Sequence, residues 1–283
     1  LLDYIKAMTV DEVLDVAEAQ IGRCVQALKG KGLTFKSAAL AFDWHDRPYY
    51  GSPATEGVAG MKPKRGTCYA FSFLTVSVIT PRKRLVLCIL PLMEREGLSR
   101  LVLGLLKHIG CHVKRIAYVA FDNGFQDSEL LKGLLDRRIP FILPLRKTAR
   151  LRKRWRWMRY ARRFTYRTRG VEVGVVEAAD AKGWRYFLAT SLTTTPKKVL
   201  KLYKRRWGAE TAYRKIGEFL PKTTSRSYVV RTFYFALAVL LYNVWIILNA
   251  QARESLKVIR LKMSCLWSLF SSIPSLAEDL PTR

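Results

Sequence analysis

"LAFDWHDRPYYGS", residues 40 to 52, runs from apolar side chains directly into carboxylates. Read with the residues before it, "FKSAALAFD" is a short buried strand ending at Asp43. A second stretch is built the same way. "RIAYVAFDNGF" is an apolar strand ending at Asp122, and both acids follow the pair Ala-Phe. Taken singly, each aspartate is of the kind that caps a turn or a following helix. If the two strands lie side by side and parallel, their carboxylates leave the sheet at one edge, where α/β sheets place their sites.

The surrounding segments set the fold class. Thr9 and Glu12 form a capping box that opens a helix stopping near Gly30. "TCYAFSFLTVSVIT" and "RLVLCILPLM" read as a hairpin turning at Thr80-Pro81-Arg82-Lys83. "LSRLVLGLLKHIG" and "DSELLKGLLDRR" have helical spacing, and "IPFILPL" is a further strand. "VEVGVVEA" and "WRYFLATSL" are strands of a small β-rich insertion, after which Thr195 and Pro196 are N-cap and N1 of one long helix to about Leu220. The order predicts an α/β domain with a mixed sheet: antiparallel hairpin neighbours, then strands joined by helical crossovers. The expected segments are 1–33 (helical), 34–147 (core), 148–194 (basic insertion), 195–250 (closing helices) and 251–283 (tail). The chain begins at Leu1 rather than Met, so a preceding recognition module is expected to be missing.

Of the 283 residues 49% are hydrophobic, enough for a substantial core, and 50 Lys plus Arg stand against 22 Asp plus Glu, a formal charge of +28. Such an excess implies a polyanionic partner, nucleic acid first and an anionic membrane second. The cysteines Cys24, Cys68, Cys88, Cys111 and Cys265 are scattered and odd in number, which suits a reducing, cytoplasmic compartment where nucleoid DNA lies. His108, Cys111 and His112 suggest zinc, but Gly110 should end the helix between them and separate the two histidines. "FYFALAVLLYNVWIILNA", Phe233 to Ala250, is long enough to span a bilayer, yet it carries Asn243 and Asn249 and suits a helix buried in a large domain. No membrane partner is expected.

In "VLKLYKRRWGAETAYRKIGEFL", Tyr203, Arg206, Glu210 and Arg214 recur at helical steps and share one stripe. Arg206 and Arg214 are ordinary salt-bridge partners for Glu210 on the plainest reading. A polar stripe leading into an all-apolar helix is also well placed to face the sheet edge where Asp43 and Asp122 emerge. Three carboxylates around one point repel unless cations neutralise them, and hard divalent ions such as Mg²⁺ or Mn²⁺ prefer oxygen ligands. Two such ions roughly 4 Å apart activate a water or a 3′-hydroxyl and stabilise the leaving oxygen of a phosphodiester.

With three acids in order, the chain from about Phe35 to Ala250 resembles the DDE transposases of insertion sequences, in the group with a Tyr-Arg-Glu-Lys signature. "DWHDRPYYG" is similar to the family's first-Asp block, "FDNGF" to its second and "YKRRWGAETAYRKIGEFLPKTTS" to its third, while "LYNVW" looks like the closing helix. The resemblance implies an RNase H-like mixed sheet flanked by helices, with a β-rich insertion before the third acid. It implies catalytic and metal-binding roles for Asp43, Asp122 and Glu210 with two Mg²⁺ (or Mn²⁺) ions. Arg206 would clamp a phosphate and Tyr203 would stack on or hydrogen-bond the DNA, while His45 and Asp46 would orient a ligand or water. Asn123 replaces the usual Arg or Lys of the second block, and Gly217 stands in place of the signature Lys; Lys215 lies nearby on another face.

Between Arg146 and Arg169 the chain is almost entirely basic and aromatic. Arg152, Lys153, Arg154, Trp155, Arg156, Trp157 and Arg159, with Tyr160 and Tyr166, suit phosphate contacts and base stacking, and Arg214 and Lys215 extend the expected surface. The expected partner is double-stranded DNA, both element ends and target, bound by a homodimer. A nuclease that cuts without joining and a noncatalytic DNA-binding descendant are the rival readings.

Overall fold

The computed structural model describes residues 2–30, 37–64, 66–80, 84–93, 97–155, 161–250 and 256–271. In chain order the elements are α1 (Leu2–Ala7), α2 (Val10–Gly30), β1 (Ala38–Tyr49), β2 (Ala59–Lys64), β3 (Thr67–Val78), β4 (Val86–Leu92), α3 (Leu98–His108), β5 (Ile116–Ala120), α4 (Ser128–Asp136) and β6 (Phe141–Pro144). The remainder are α5 (Ala149–Trp155), β7 (Arg162–Thr168), β8 (Val171–Ala179), β9 (Arg185–Thr190), α6 (Pro196–Lys204), α7 (Trp207–Phe219), α8 (Tyr228–Asn249) and α9 (Val258–Ser271).

One mixed sheet holds all nine described strands, ordered β2-β3-β1-β5-β6-β9-β8-β7, with β4 pairing β3 beyond β2. β3 pairs antiparallel with β1 and β4, whereas β1, β5 and β6 run parallel, as hairpin and helical connections respectively require. The β-rich insertion is no separate layer. β9 pairs antiparallel with β6 through Ile142↔Thr190, so β7 to β9 extend the central sheet. β2 was not foreseen in the sequence, where a short, mostly exposed run broken by proline gives little alternation to read.

β1 shows how the two faces are covered. Leu40 and Phe42 point into a large-residue core under α3 and α4, while Ala39 and Ala41 face α6. Farther along the sheet a third core joins Phe71 and Phe73 of β3 to α2, α7, α8 and α9. α2 opens on the expected capping box: Thr9 N donates to Glu12 Oε2 (2.7 Å) and Glu12 N to Thr9 Oγ1 (3.1 Å).

Two expectations fail in ways that matter for the site. β1 does not stop at Asp43, because the ladder with β3 continues from Asp43↔Thr75 to Tyr49↔Tyr69. The single helix expected from Pro196 to Leu220 is two, α6 and α7, divided at Arg205 and Arg206. There the amides of Arg205, Arg206, Gly208 and Ala209 bond three residues back, a tightened turn. Gly208 lies against Arg84, whose guanidinium would be 2.9 Å from an added Cβ, so the break brings the backbone close to that side chain.

α8, the one helix long and apolar enough to cross a membrane among the described residues, packs on α2, α7 and β4. Asn243, fully buried, explains its polar interruption. Its Oδ1 accepts from Val86 N (3.0 Å) and its Nδ2 donates to Val86 O (2.8 Å), completing the backbone bonding of β4. Asn243→Ala strands both backbone groups away from water. The expected cost is about 3 kcal/mol, read as a lower urea midpoint at unchanged m-value.

Candidate active site

β1 and β5 pair only from Ala38 to Ala41, since β5 ends at Ala120. At Asp43, therefore, β1 is still held by β3 on one edge and has lost its parallel neighbour on the other. Asp122 stands beside that opening, at the start of a 3-10 turn closed by Phe125 N donating to Asp122 O (3.1 Å). Trp44 locks the two together: its indole lies 4.6 Å from the Phe125 ring, and an added Cβ on Gly124 would come within 2.3 Å of it. Glycine at 124 is thus needed for close packing.

α7 delivers the third acid. Tyr213, one turn beyond Glu210, is buried; its hydroxyl donates to the Asp43 carbonyl (2.8 Å) and lies 2.5 Å from Thr75 Oγ1. This residue ties α7 to β1 and β3. The sequence reading missed it, although an aromatic three residues after a candidate acid on an amphipathic helix is the signal that would have found it.

The three carboxylates converge on one guanidinium. Arg206 Nη1 lies 3.6 Å from Asp43 Oδ2, and Nη2 lies 3.7 Å from Asp122 Oδ1 and 2.9 Å from Glu210 Oε1. The Arg206 side chain is 6% exposed, and its Nε is buried without a hydrogen-bond partner. One positive charge here faces three negative ones. Burial pushes the Asp43 carboxyl up to about 7 despite the lowering influence of Arg206, and Asp122 and Glu210 push it the same way. The cluster therefore remains short of positive charge. Its donors are all carboxylate oxygens, the set that hard divalent cations take, and Arg206 stands in for part of the cationic charge they would bring. As the side chains lie, no three His, Cys, Asp or Glu side chains among the described residues close around a common point at metal-binding distance. The carboxylates are spread around the guanidinium instead.

A family model for a transposase DDE domain matches residues 34–244. The chain belongs to the DDE transposase family. Its fold is similar to that of a piggyBac transposase in a synaptic complex with hairpin DNA, with a TM-score of 0.62 and 15% identity over 87% of this chain. The match covers 55% of that longer chain, and at this identity it speaks for the fold alone, an RNase H-like one. No curated protein matches the chain. DDE transposases generally use divalent metal ions.

Other residues singled out in the sequence of this DDE family member occupy varied places. Arg206 and Tyr203 are buried: the guanidinium meets carboxylates, and the Tyr203 ring lies 5.8 Å behind it and 6.1 Å from Tyr186, which leaves no face for a DNA base. His45 stacks on Tyr213 at 4.9 Å, and burial, then Arg47, holds its imidazole down to about 4, so it is neutral at physiological pH. Asp46, on the opposite face of β1, accepts from Ser72 Oγ (2.6 Å). His45 thus packs on the residue that holds the Asp43 carbonyl.

Arg214 is exposed on α7, Lys215 pairs with Glu218 (2.8 Å), and Arg152 and Lys153 are exposed on α5. Arg156, Trp157, Arg159 and Tyr160 lie outside the described residues, as do the side chains of Arg154, Trp155 and Cys111. His108 bonds Glu18 through Nε2 (2.6 Å), while the buried Nε2 of His112 has no partner.

Gly217 is exposed and a Cβ there would meet nothing within 4 Å, so a side chain fits. It shares the stripe of Glu210 and Arg214. Gly217→Lys should stabilise the domain by about 1 kcal/mol in thermal unfolding. It should also steepen the salt dependence of DNA binding by about one unit of slope.

Proposed function

We propose that this domain carries out DNA transposition: hydrolysis of the phosphodiester at the end of an insertion sequence, followed by attack of the freed 3′-hydroxyl on target DNA. The observation that carries this reading is the convergence of acids from β1, the turn after β5 and α7 on Arg206. Asp43, Asp122 and Glu210 are the residues to hold two Mg²⁺ or Mn²⁺ ions. When bound, these would activate the attacking oxygen and stabilise the leaving one.

The protein's own groups do the positioning. Tyr213 fixes the backbone of Asp43, and Trp44 packed against Gly124 and Phe125 fixes the Asp122 turn relative to β1. Arg206 balances the acids in the metal-free protein. Divalent charge would repel its guanidinium toward the phosphate of the scissile strand. A cavity of about 980 Å³ opens beside Asp122, with Lys62, Lys64 and Arg146 in its lining. Those cations suit the approach of a phosphate backbone. A DNA duplex bound as two element ends calls for a homodimer.

The test uses DNA carrying the ends of the element that encodes the chain. Cleavage should require Mg²⁺ or Mn²⁺ and should be followed by joined products on a target plasmid. Glu210→Gln should leave DNA binding intact and lower cleavage by about 10³-fold or more, the several kcal/mol a metal site contributes. Cleavage at the original rate would remove Glu210 from the assignment, and cutting without joining would make the enzyme a nuclease.

A further inference from the structure

At the far end of β1 a second cavity, of about 440 Å³, opens between the strand terminus, the α7–α8 connection and the first turns of α8. Arg47, Lys222, Arg226 and Arg231 line it, and no carboxylate does. The cavity beside Asp122 differs in this respect, because Asp46, Asp127 and Glu129 share its lining with the cations. The cations of the second cavity therefore face an anion unopposed, whereas those of the first share their lining with acids.

The second cavity is also aromatic. Arg231 lies 4.9 Å from the Phe71 ring and 5.4 Å from that of Tyr49. Its Nε donates to Ser225 O (2.8 Å), which fixes the guanidinium in place. Only carbonyl oxygens hydrogen-bond this half-buried charge, and no carboxylate among the described residues lies within ion-pair distance of it. Lys222 and Arg226 are exposed at the rim, and Tyr50, 68% exposed, offers a ring face there. A cationic floor beside the exposed Tyr50 ring fits a phosphodiester carrying a heterocyclic base, because every base has a π-face to stack.

Position selects the source of that group. Six residues of β1 separate Asp43 from Tyr49, roughly 20 Å at about 3.3 Å per residue. α7 bridges the same gap, with roughly 15 Å of helix between Glu210 and Leu220 at about 1.5 Å per residue. A nucleic-acid strand advancing about 3.4 Å per nucleotide crosses that distance in about five or six nucleotides.

We propose that this cavity binds one unstacked nucleotide of the DNA strand, about five or six nucleotides from the bond cut at Asp43. Its phosphate is held by Lys222, Arg226 and Arg231, and its base lies against Tyr50. The placement relative to the cut rests on the acid cluster being the active centre; the cavity's chemistry does not.

The full chain in EDTA, where no metal-dependent cleavage occurs, tests the assignment by fluorescence anisotropy. The probes are a labelled oligothymidylate and an abasic strand of equal phosphate count. Wild type should bind the base-bearing strand about tenfold more tightly. Tyr50→Ala should erase that preference and Tyr50→Phe retain it, while Lys222→Ala with Arg226→Ala should weaken both probes and flatten the salt dependence by about two units of slope. Equal binding of the two probes by wild type, or an undiminished preference in Tyr50→Ala, overturns the proposal. Displacement of the oligonucleotide by thymidine monophosphate at equal affinity overturns it in favour of a free-nucleotide site. Glu210→Gln, assayed separately for cleavage in Mg²⁺, decides the active centre: if it still cleaves DNA that reading falls, while the anisotropy series in EDTA continues to decide the cavity.

Discussion

Asp43→Asn should produce a protein that folds more stably than wild type near pH 8 and cleaves DNA about 10³-fold more slowly or worse. Both effects come from one feature. Asp43 is buried on β1 with its carboxyl raised to about 7, so ionising it in the folded protein costs more than in the unfolded chain. A raised folded value means the native state binds the extra proton. Stability is then fully present below the unfolded value near 4 and is lost as pH rises through about 7. Three units correspond to at most about 4 kcal/mol. In EDTA, wild-type stability should fall between pH 4 and pH 8, and the asparagine variant should show a flatter profile. Urea midpoints across that range measure the difference. An identical pH profile in the two proteins would mean that Asp43 ionises freely.

Arg206→Ala should act in the opposite direction. It removes the one cation shared by three carboxylates, leaving Asp43 buried beside two like charges. Breaking such a buried pair costs about 3–5 kcal/mol, so the metal-free variant should be strongly destabilised at pH 8. The loss should shrink at pH 5, where Asp43 takes up a proton. Millimolar Mn²⁺ should raise the variant's melting temperature more than that of wild type, because divalent charge takes over the role of the missing guanidinium. Should Arg206→Ala melt like wild type in EDTA, the guanidinium would not be balancing the cluster. A conservative Arg206→Lys keeps the charge but not the planar fork, and its melting temperature should fall between the two.

What could be read from the chain, and what could not, follows from the range of the interactions involved. The Ala-Phe-Asp endings on two apolar strands and the polar stripe containing Glu210 are local patterns, and the structure gathers those three acids around one side chain. The continuation of β1 to Tyr49 was hidden because "WHDRPY" has no strand alternation; pairing with β3 holds it extended. The break at Arg205–Arg206 was hidden for a similar reason. The local sequence is good helix, and the tightened turn coincides with the contact of Gly208 with Arg84, more than a hundred residues away. The place of Arg206 depends on that break: the stripe is rightly set toward the sheet edge, but one continuous helix gives no sign that Arg206 and Tyr203 are buried there. Helical spacing could single out Tyr213, but not its partners Thr75 and Asp43, 138 and 170 positions away.

The most direct measurement is anomalous scattering from crystals of the protein soaked in Mn²⁺. The account predicts two peaks bounded by the carboxylates of Asp43, Asp122 and Glu210, with the Arg206 guanidinium moved out of its present position. Manganese bound elsewhere, or none at this cluster while Arg206 still bridges the three acids, would contradict it.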